Sequence, residues 1–404
     1  MDQRLRALMN LGRPPDGEAE AEAARVIKAL REKGAADLAG TAIGTDLMIE
    51  ARNRVSERFL TAISLARVKL RKFHEYQRRH GYAHDDGDGV TLSRLVRPLA
   101  RVGVCCSGSP SELLMCVVPA QVAGVGEIVV AAAAGEDGRV APAILATLRM
   151  LDLREAYRLD GAIAAAALAL GQGPIRKVDK VVGRLSAAGA AAGRMLSGRT
   201  GFAVSPEAGG LAIVADASAN AKFAAMDMLA RAEMFDPGPL VLFATERLFA
   251  EAVRIEISRC LDAMDKAGRV GANLERGGGI FLCSGIGEAM RAVNLLEPAR
   301  LQLMTGDNQA CLAEVENAGA VFLGAWSPDG SGDVFAGAGL GLPGLGSASF
   351  ASGIGVGDFV KEMSVVEYGP ERLFKTSRHL RELMEGDVFG PLALQERLNL
   401  LAGN

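Results

Sequence analysis

The sequence predicts an α/β protein in which helices cover two parallel sheets and a helical tail ends the chain. Short, continuously apolar runs alternate with alanine- or leucine-rich stretches. Strands that lack polar alternation are expected where helices cover both faces of a sheet. The alternation occurs twice, once before about residue 210 and once after it. Only 5% of the 404 residues are aromatic while 49 are glycine, which favours close helix–sheet packing over an aromatic-rich sandwich.

Residues from Ala19 to about Tyr82 are predicted to be helical. The run VSERFLTAISLARVKLRKFHEYQRR places apolar residues at helical spacing with charges between them. The polar segment HGYAHDDGDGV that follows is a loop or hairpin. His80 and His84 lie four residues apart in it, ahead of three aspartates, and such side chains can bind metals. Glycines interrupt the segment, so a solvated turn is the better interpretation.

The strands of the two sheets are predicted at eight apolar runs: VGVCC, EIVVAAAA, EAYRL, VDKVVG, LAIVAD, PLVLFAT, GGIFLCS and AVFLG. Helical stretches such as APAILATLRML and SAAGAAAGRML lie between most of them. The glycine-rich GAGLGLPGLGSAS is expected to be a loop, because no strand–turn–helix pattern surrounds it. After residue 350 the chain becomes polar and helical.

Net charge and hydropathy indicate which classes of partner to expect, and cysteine usage indicates the cellular compartment. Lysine and arginine number 45 against 48 acidic residues, a net charge of −3, which argues against binding nucleic acid. No apolar run is long enough for a membrane span, and the charged start of the chain is unlike a targeting peptide. The six cysteines form no CxxC motif, so we expect reduced, buried thiols in a cytoplasmic protein.

Nine strings, in matching order, resemble those of histidinol dehydrogenases. They include FHEYQ, LLMCVVPAQVAGVGEIVV, VDKVVG, IVADASAN, DMLARAEMFDP, GDVFAG and SGIGVGDFVKEMSVVEY. The resemblance implies two incomplete Rossmann-like domains and an intertwined homodimer that depends on NAD and zinc. We therefore expect an N-terminal helical arm at residues 1–29 and a helical tail at residues 351–404. The first domain is expected in two segments, residues 30–100 and 211–350, and the second domain at residues 101–210.

The resemblance also assigns the family's zinc ligands to four positions of this chain. The Gln and His of the family's QAEHD string fall at Arg231 and Met234, and its C-terminal His falls at Gly390. Only Asp333 keeps the family's residue type. One ligand of four does not hold Zn²⁺, so the sequence predicts no metal site.

The positions that the resemblance links to catalysis and NAD have changed as well. The family's Glu and His, which activate water and exchange protons, fall at Ala299 and Arg300. Arginine stays protonated at all useful pH values. The NAD-contacting positions fall at Cys105, Ile163 and Ser186. The resulting prediction is a paralogue that needs no cofactor, has lost histidinol oxidation, and serves as a binding or scaffold protein or as a subunit in a biosynthetic pathway.

Two enzymatic alternatives stay open at this point. One is new chemistry on an anionic small molecule in the old cleft. The other is an NAD-dependent alcohol or aldehyde dehydrogenase with a rearranged site. Catalytic candidates are Glu297, Asp333 and Glu385.

The new arginines are the ligand-binding candidates. If the backbone is kept, Arg231 and Arg300 point into the former zinc pocket, with Asp333 and Glu385 near them. Either these arginines form ion pairs with the two carboxylates and fill the former zinc pocket, or they bind a carboxylate or phosphate ligand there. Arg184, which replaces a proline of the family, is a third candidate.

Overall fold

In the computed structural model, the described residues are 3–9, 16–33, 36–205, 210–234, 237–264, 267–336 and 347–401. Contacts divide the chain into two compact units. The first unit comprises residues 1–78 and 99–359, and the second unit comprises residues 79–98 and 360–404.

Helices and strands alternate along most of the chain. The helices are α1 Gln3–Met9, α2 Asp16–Lys33, α3 Thr45–Arg52, α4 Glu57–Glu75, α5 Pro110–Ala123, α6 Pro142–Met150, α7 Gly161–Leu170, α8 Ala187–Leu196, α9 Ala221–Ala232, α10 Arg247–Asp262, α11 Ala267–Gly277, α12 Ile286–Leu296, α13 Asn308–Ala313, α14 Pro370–Leu383 and α15 Phe389–Leu401. The strands are β1 Tyr82–Asp85, β2 Val90–Pro98, β3 Arg101–Cys106, β4 Glu127–Ala132, β5 Glu155–Arg158, β6 Lys180–Arg184, β7 Gly201–Ser205, β8 Leu211–Ala215, β9 Leu240–Ala244, β10 Gly278–Leu282, β11 Arg300–Met304, β12 Ala320–Leu323 and β13 Val360–Tyr368.

Helix α4 shows why the N-terminal part of the chain is helical. Its N-cap, Ser56, accepts a hydrogen bond from the backbone N–H of Phe59 at 3.2 Å. The residues that it buries recur at helical spacing and share one face: Leu60, Ile63, Ala66, Leu70 and His74. The helices predicted for this part of the chain are confirmed.

The first parallel sheet has the strand order β5-β4-β3-β6-β7. Strand β3 is buried throughout, because Val102 and Val104 pack with helices α3 to α6 while Cys105 packs with α2, α7 and α8. Gly183 of β6 has φ +119°, and a Cβ there would lie 2.2 Å from the carbonyl oxygen of Cys105. Only glycine therefore allows this approach of β6 to β3.

The second parallel sheet repeats this arrangement with the order β10-β9-β8-β11-β12. Strands β8 and β9 are buried along their whole length. In each sheet the chain starts near the middle, builds outward on one side and then crosses to the other. This reversal leaves a crevice at the carboxyl ends of β3 and β6 and another at those of β8 and β11.

The second unit contains an antiparallel sheet with the order β1-β2-β13, followed by α14 and α15. The predicted hairpin forms between β1 and β2, where Asp86 accepts hydrogen bonds from the backbone N–H groups of Asp88 and Val90. Arg372 pairs with Asp86 and Asp88. The aspartates thus stabilise a turn, as the solvated-turn interpretation expects. The nine-residue strand β13 was missed.

The predicted fold class is confirmed: two incomplete Rossmann-like sheets flanked by helices, with helices at the C-terminal end. The first sheet lies within residues 101–205 and the second within residues 211–323. The domain division around these sheets stays a prediction. Among the described helices, none is long and apolar enough to cross a membrane.

Candidate functional site

Two of the predicted arginines meet in the interior of the first unit. Arg231 lies in the last turn of α9, and Arg300 is the first residue of β11; their exposed fractions are 6% and 4%. The Nε of Arg231 donates to Oδ2 of Asp329 at 2.8 Å, and its Nη2 donates to the same oxygen. The Nε of Arg300 lies 3.7 Å from that oxygen. Asp329, which is 3% exposed, is therefore the carboxylate that both arginines share.

The carboxylates that the sequence pointed to are Asp333, Glu385 and Glu297. Asp333 belongs to a π-helical turn at Gly332–Ala336, and its side chain lies outside the described residues. Glu385 follows α14 in the second unit and is exposed there. Glu297 ends α12 in a left-handed conformation with φ +50°, and its Oε2 accepts from the backbone N–H of Ser349 at 3.3 Å. Glu297 therefore ends a helix and Arg300 begins a strand, so the two residues do not share a helix face.

A polar pair that sequence reasoning missed lies beside the ion pairs. Asp227 is one turn before Arg231 on α9, and Gln302 is two residues after Arg300 on β11, so each pair shares a face. The Asp227 carboxylate accepts a hydrogen bond from the Gln302 side chain. Nε2 of Gln302 also donates to the carbonyl oxygen of Ser327 at 3.3 Å. The four-residue spacing of Asp227 and Arg231 was the signal in the sequence that could have pointed to this pair.

Burial controls the protonation of Asp227. Desolvation raises the pKa of its carboxyl group, the hydrogen bond from Gln302 lowers that pKa, and the nearby charge of Asp329 raises it. The net direction is upward. A carboxyl group with a raised pKa is a better proton acceptor than an exposed aspartate.

The chain segment 326–329 packs against α9 and β11. The rings of Phe223 and Trp326 meet edge to face, with centroids 5.6 Å apart. Further along, Ser327 contacts Gln302 and Asp329 contacts Arg231. Trp326 is the single tryptophan of the chain and is 87% exposed. It therefore supplies a fluorescent reporter three residues from the shared carboxylate.

Arg184 lies at a different place, the carboxyl edge of the first sheet. Its Nη1 lies 3.6 Å from Oε1 of Glu112, which is buried in the first turn of α5. Glu112 also accepts hydrogen bonds from the backbone N–H of Ser107 at 2.7 Å and from its hydroxyl at 2.8 Å. Arg184 is thus part of the crevice between β3 and β6.

This crevice has the topology of a dinucleotide site, because helices begin directly after the strands that border it. Gly108, between β3 and α5, has φ +135°, and a Cβ there would contact nothing within 4 Å. Ser186 caps α8 by accepting from the N–H of Gly189. Burial raises the pKa of the Cys106 thiol to about 12, so this thiol stays protonated at neutral pH. The crevice therefore has the features of a nucleotide-binding site and lacks those of a site with a reactive cysteine.

The described residues do not form a zinc site. Within the described part of the chain, no three His, Cys, Asp or Glu side chains lie together as metal ligands. Met234 is exposed, and Gly390 lies in α15. A zinc ion would need donors beyond the described set, to which the side chain of Asp333 belongs.

Comparison with known proteins places these features in a family. Residues 20–390 match the family model described as Histidinol dehydrogenase. The histidinol dehydrogenase of Caldanaerobacter subterraneus is 35% identical over 341 residues, 83% of this chain and 79% of the relative. That of Bacillus licheniformis is 34% identical over 345 residues, 84% of this chain and 81% of the relative.

Solved structures show the same fold. A crystal structure of histidinol dehydrogenase from Elizabethkingia anophelis superposes with a TM-score of 0.88 at 23% identity, covering 95% of this chain and 93% of that one. A putative aldehyde dehydrogenase from Burkholderia cenocepacia reaches a TM-score of 0.54 at 15% identity, covering 90% and 91%. At these identities the structures establish the fold alone.

The comparisons overturn two predictions made from the sequence. The prediction of a paralogue without dehydrogenase activity is wrong, because the relatives that match four-fifths of the chain are named for that activity. The prediction that no cofactor is used is wrong on the same finding, since the matched family works with NAD and zinc.

Proposed function

The chain belongs to the histidinol dehydrogenase family, and we propose that it is an oxidoreductase that oxidises a small alcohol with NAD as the hydride acceptor. The observation that carries this proposal is the identity of 35% over 341 residues to a protein named histidinol dehydrogenase. The family model supports it by matching residues 20–390.

We place the alcohol beside the buried and partly buried polar residues between α9 and β11, which include Asp227, Arg231 and Arg300. We place the dinucleotide in the crevice between β3 and β6. When bound, NAD supplies the acceptor for the hydride that leaves the alcohol carbon. The chain's own residues hold the site together. The ion pairs of Arg231 and Arg300 with Asp329 fix the segment 326–331 onto α9 and β11.

A direct assay tests this function. The purified protein is mixed with NAD and, in turn, L-histidinol and a panel of amino alcohols and primary alcohols, with and without added Zn²⁺. We expect steady NADH formation with at least one alcohol. Asp262→Asn, on the exposed end of α10, should leave the rate unchanged. The absence of NADH above background for every alcohol, with and without Zn²⁺, would overturn the proposal.

We also propose that the protein forms a homodimer and works in the cytoplasm. The second unit supports the first of these, because it leaves large apolar side chains exposed on β13, α14 and α15, among them Val366, Phe374, Phe389 and Leu392. A second copy of the chain is the proposed cover. The six free cysteines, five of them buried, support a reducing compartment.

A further inference from the structure

A cavity lies at the amino edge of the first sheet, between α3, the end of α6 and the start of β5. Its volume is about 230 Å³. Arg154, which lines it, directly precedes β5, whereas the crevice between β3 and β6 is at the carboxyl ends of the strands. None of the residues that line the cavity belongs to the sites described above. The cavity is therefore a separate place where a small molecule can bind.

The backbone brings the start of α3 next to β5. The N–H of Ile43 donates to the carbonyl oxygen of Ala156 at 2.9 Å, beside an antiparallel bridge between the same two segments. Continuing this antiparallel register by two residues places Thr45 opposite Arg154. Thr45 is the first residue of α3, and it lines the cavity together with Arg154. The fold thus positions a hydroxyl group and a guanidinium group at one cavity.

Apolar side chains form another part of the cavity wall. Met48 is fully buried and Leu153 is 7% exposed, whereas Ile49 is 53% exposed. Met48 belongs to the core that joins α3 to α6, so this side of the cavity is held in place. Covering the exposed surface of Ile49 with an apolar group would remove it from water, which favours binding.

The charges around the cavity leave a positive excess. Arg149 and Arg154 line it with one carboxylate, that of Asp152. Oδ2 of Asp152 accepts a hydrogen bond from Nη2 of Arg67 at 3.1 Å, and its Oδ1 lies 3.8 Å from Nη1 of Arg149. In the part of the chain that the structure describes, the Arg154 side chain has neither an ion pair nor a hydrogen bond. Its planar guanidinium is therefore available to an anion, and its donors match the two oxygens of a carboxylate.

We propose that this cavity binds a small organic anion, namely a carboxylate with a short apolar chain. The carboxylate lies against Arg154 with Arg149 beside it, and the apolar chain covers Ile49 and Leu153. The cavity has about eight times the roughly 30 Å³ that a water molecule occupies in the liquid, which sets the ligand at about eight non-hydrogen atoms. The inference is independent of the proposed function, because the cavity contains none of the residues assigned to that function.

Calorimetric titration with hexanoate tests this site, with hexanamide and inorganic phosphate as comparison ligands. The proteins are wild type, Arg154→Gln and the control Arg247→Gln, which removes an exposed arginine of α10. Wild type and Arg247→Gln should bind one hexanoate per chain. Arg154→Gln should weaken this binding by about tenfold or more, because it removes the charge-assisted contact. Hexanamide lacks the charge and phosphate lacks the apolar chain, so each should bind wild type about tenfold more weakly than hexanoate does.

Chemical modification of arginine locates the bound anion. Hexanoate should slow the reaction of Arg154 with phenylglyoxal, measured by mass spectrometry, and leave the reaction of Arg247 unchanged. Circular dichroism should show that both variants fold.

Several results would overturn the site. One is the absence of saturable binding at millimolar hexanoate. Another is equal affinity of wild type and Arg154→Gln for hexanoate, or equal affinity of wild type for hexanoate and hexanamide. Phosphate that binds as tightly as hexanoate would overturn it too, because surface charge rather than the cavity would then account for the binding.

Discussion

Asp329 is the residue on which the interior charge balance depends. Two buried guanidinium groups converge on one of its oxygens. Charges removed from water are tolerated only when they are paired and hydrogen-bonded. Asp329 therefore holds the covering segment against α9 and β11.

Replacing Asp329 by asparagine tests this role. We expect Asp329→Asn to lower the free energy of unfolding by about 3–5 kcal/mol, because two buried cations lose their shared anion. Urea unfolding followed by circular dichroism gives the value. Asp262→Asn, at an exposed position, should stay within about 0.5 kcal/mol of wild type. A loss for Asp329→Asn no larger than that of the control would contradict the ion-pair account.

Sequence reasoning found the arginines of this site but not their partner. Arg231 and Arg300 stand out because each replaces a residue that the family uses. Asp329 does not stand out, because four acidic or hydroxyl residues occur from residue 327 to residue 333 and only the path of the chain decides that Asp329 turns inward. Asp227 and Gln302 were missed for a related reason. Their pairing depends on how α9 lies on β11.

At the scale of elements, a buried histidine joins α4 to a turn. The Nδ1 of His74 is 2.9 Å from Oε1 of Gln77, and that oxygen also accepts from the backbone N–H of Val356 at 3.1 Å. This places the ring proton on Nδ1. The Nε2 is buried and, within the described chain, has no hydrogen-bond partner. Burial lowers the pKa of His74.

The lowered pKa of His74 predicts how stability depends on pH. As the pH falls below about 6.5, the unfolded chain takes up a proton before the folded protein does. Stability is therefore present above the unfolded pKa and is lost as the pH falls toward the folded one. The slope should reach up to about 1.4 kcal/mol per pH unit.

Chemical unfolding at several pH values between about 7.5 and 5 measures this slope. His74→Asn retains a donor near the Nδ1 position and should flatten it. The control, His80→Asn, changes an exposed histidine and should keep the wild-type slope. If His74→Asn and wild type lose stability equally over this range, the assignment is wrong.

The strands show what the apolar pattern can and cannot predict. All eight strands predicted from apolar runs are present. Strand β11 was missed because Arg300 and Gln302 interrupt its apolar pattern, and both are buried by tertiary partners rather than by hydrophobicity. Strand β13 was missed because its side chains are mostly exposed, so that only its pairing with β2 defines it.

At the scale of the whole molecule, two copies of one strand order give the chain two crevices. The first is bordered by Arg184 and Glu112 at the switch between β3 and β6. The functional prediction went wrong at this scale. Residue replacements show which groups of the family's chemistry are gone, but they do not show which neighbouring groups take over. Similarity over four-fifths of the chain is evidence about the whole protein, and it shows that the chain belongs to the histidinol dehydrogenase family.

The exposed apolar surface of the second unit leads to a prediction about assembly. Val366 on β13 is 61% exposed and Leu392 on α15 is 58% exposed. Fully burying such a side chain contributes about 1.5–3 kcal/mol, so a surface that carries several favours a partner. Light scattering should give a mass about twice the 42.2 kDa of one chain.

The double variant Val366→Glu, Leu392→Glu should give the mass of a single chain, because association would bury its new charges. Leu248→Glu places the same charge at an 81% exposed site on α10 of the first unit and should leave the dimer intact. A wild-type protein that stays monomeric at micromolar concentration would refute the homodimer. Dissociation by Leu248→Glu alone would instead move the interface to the first unit.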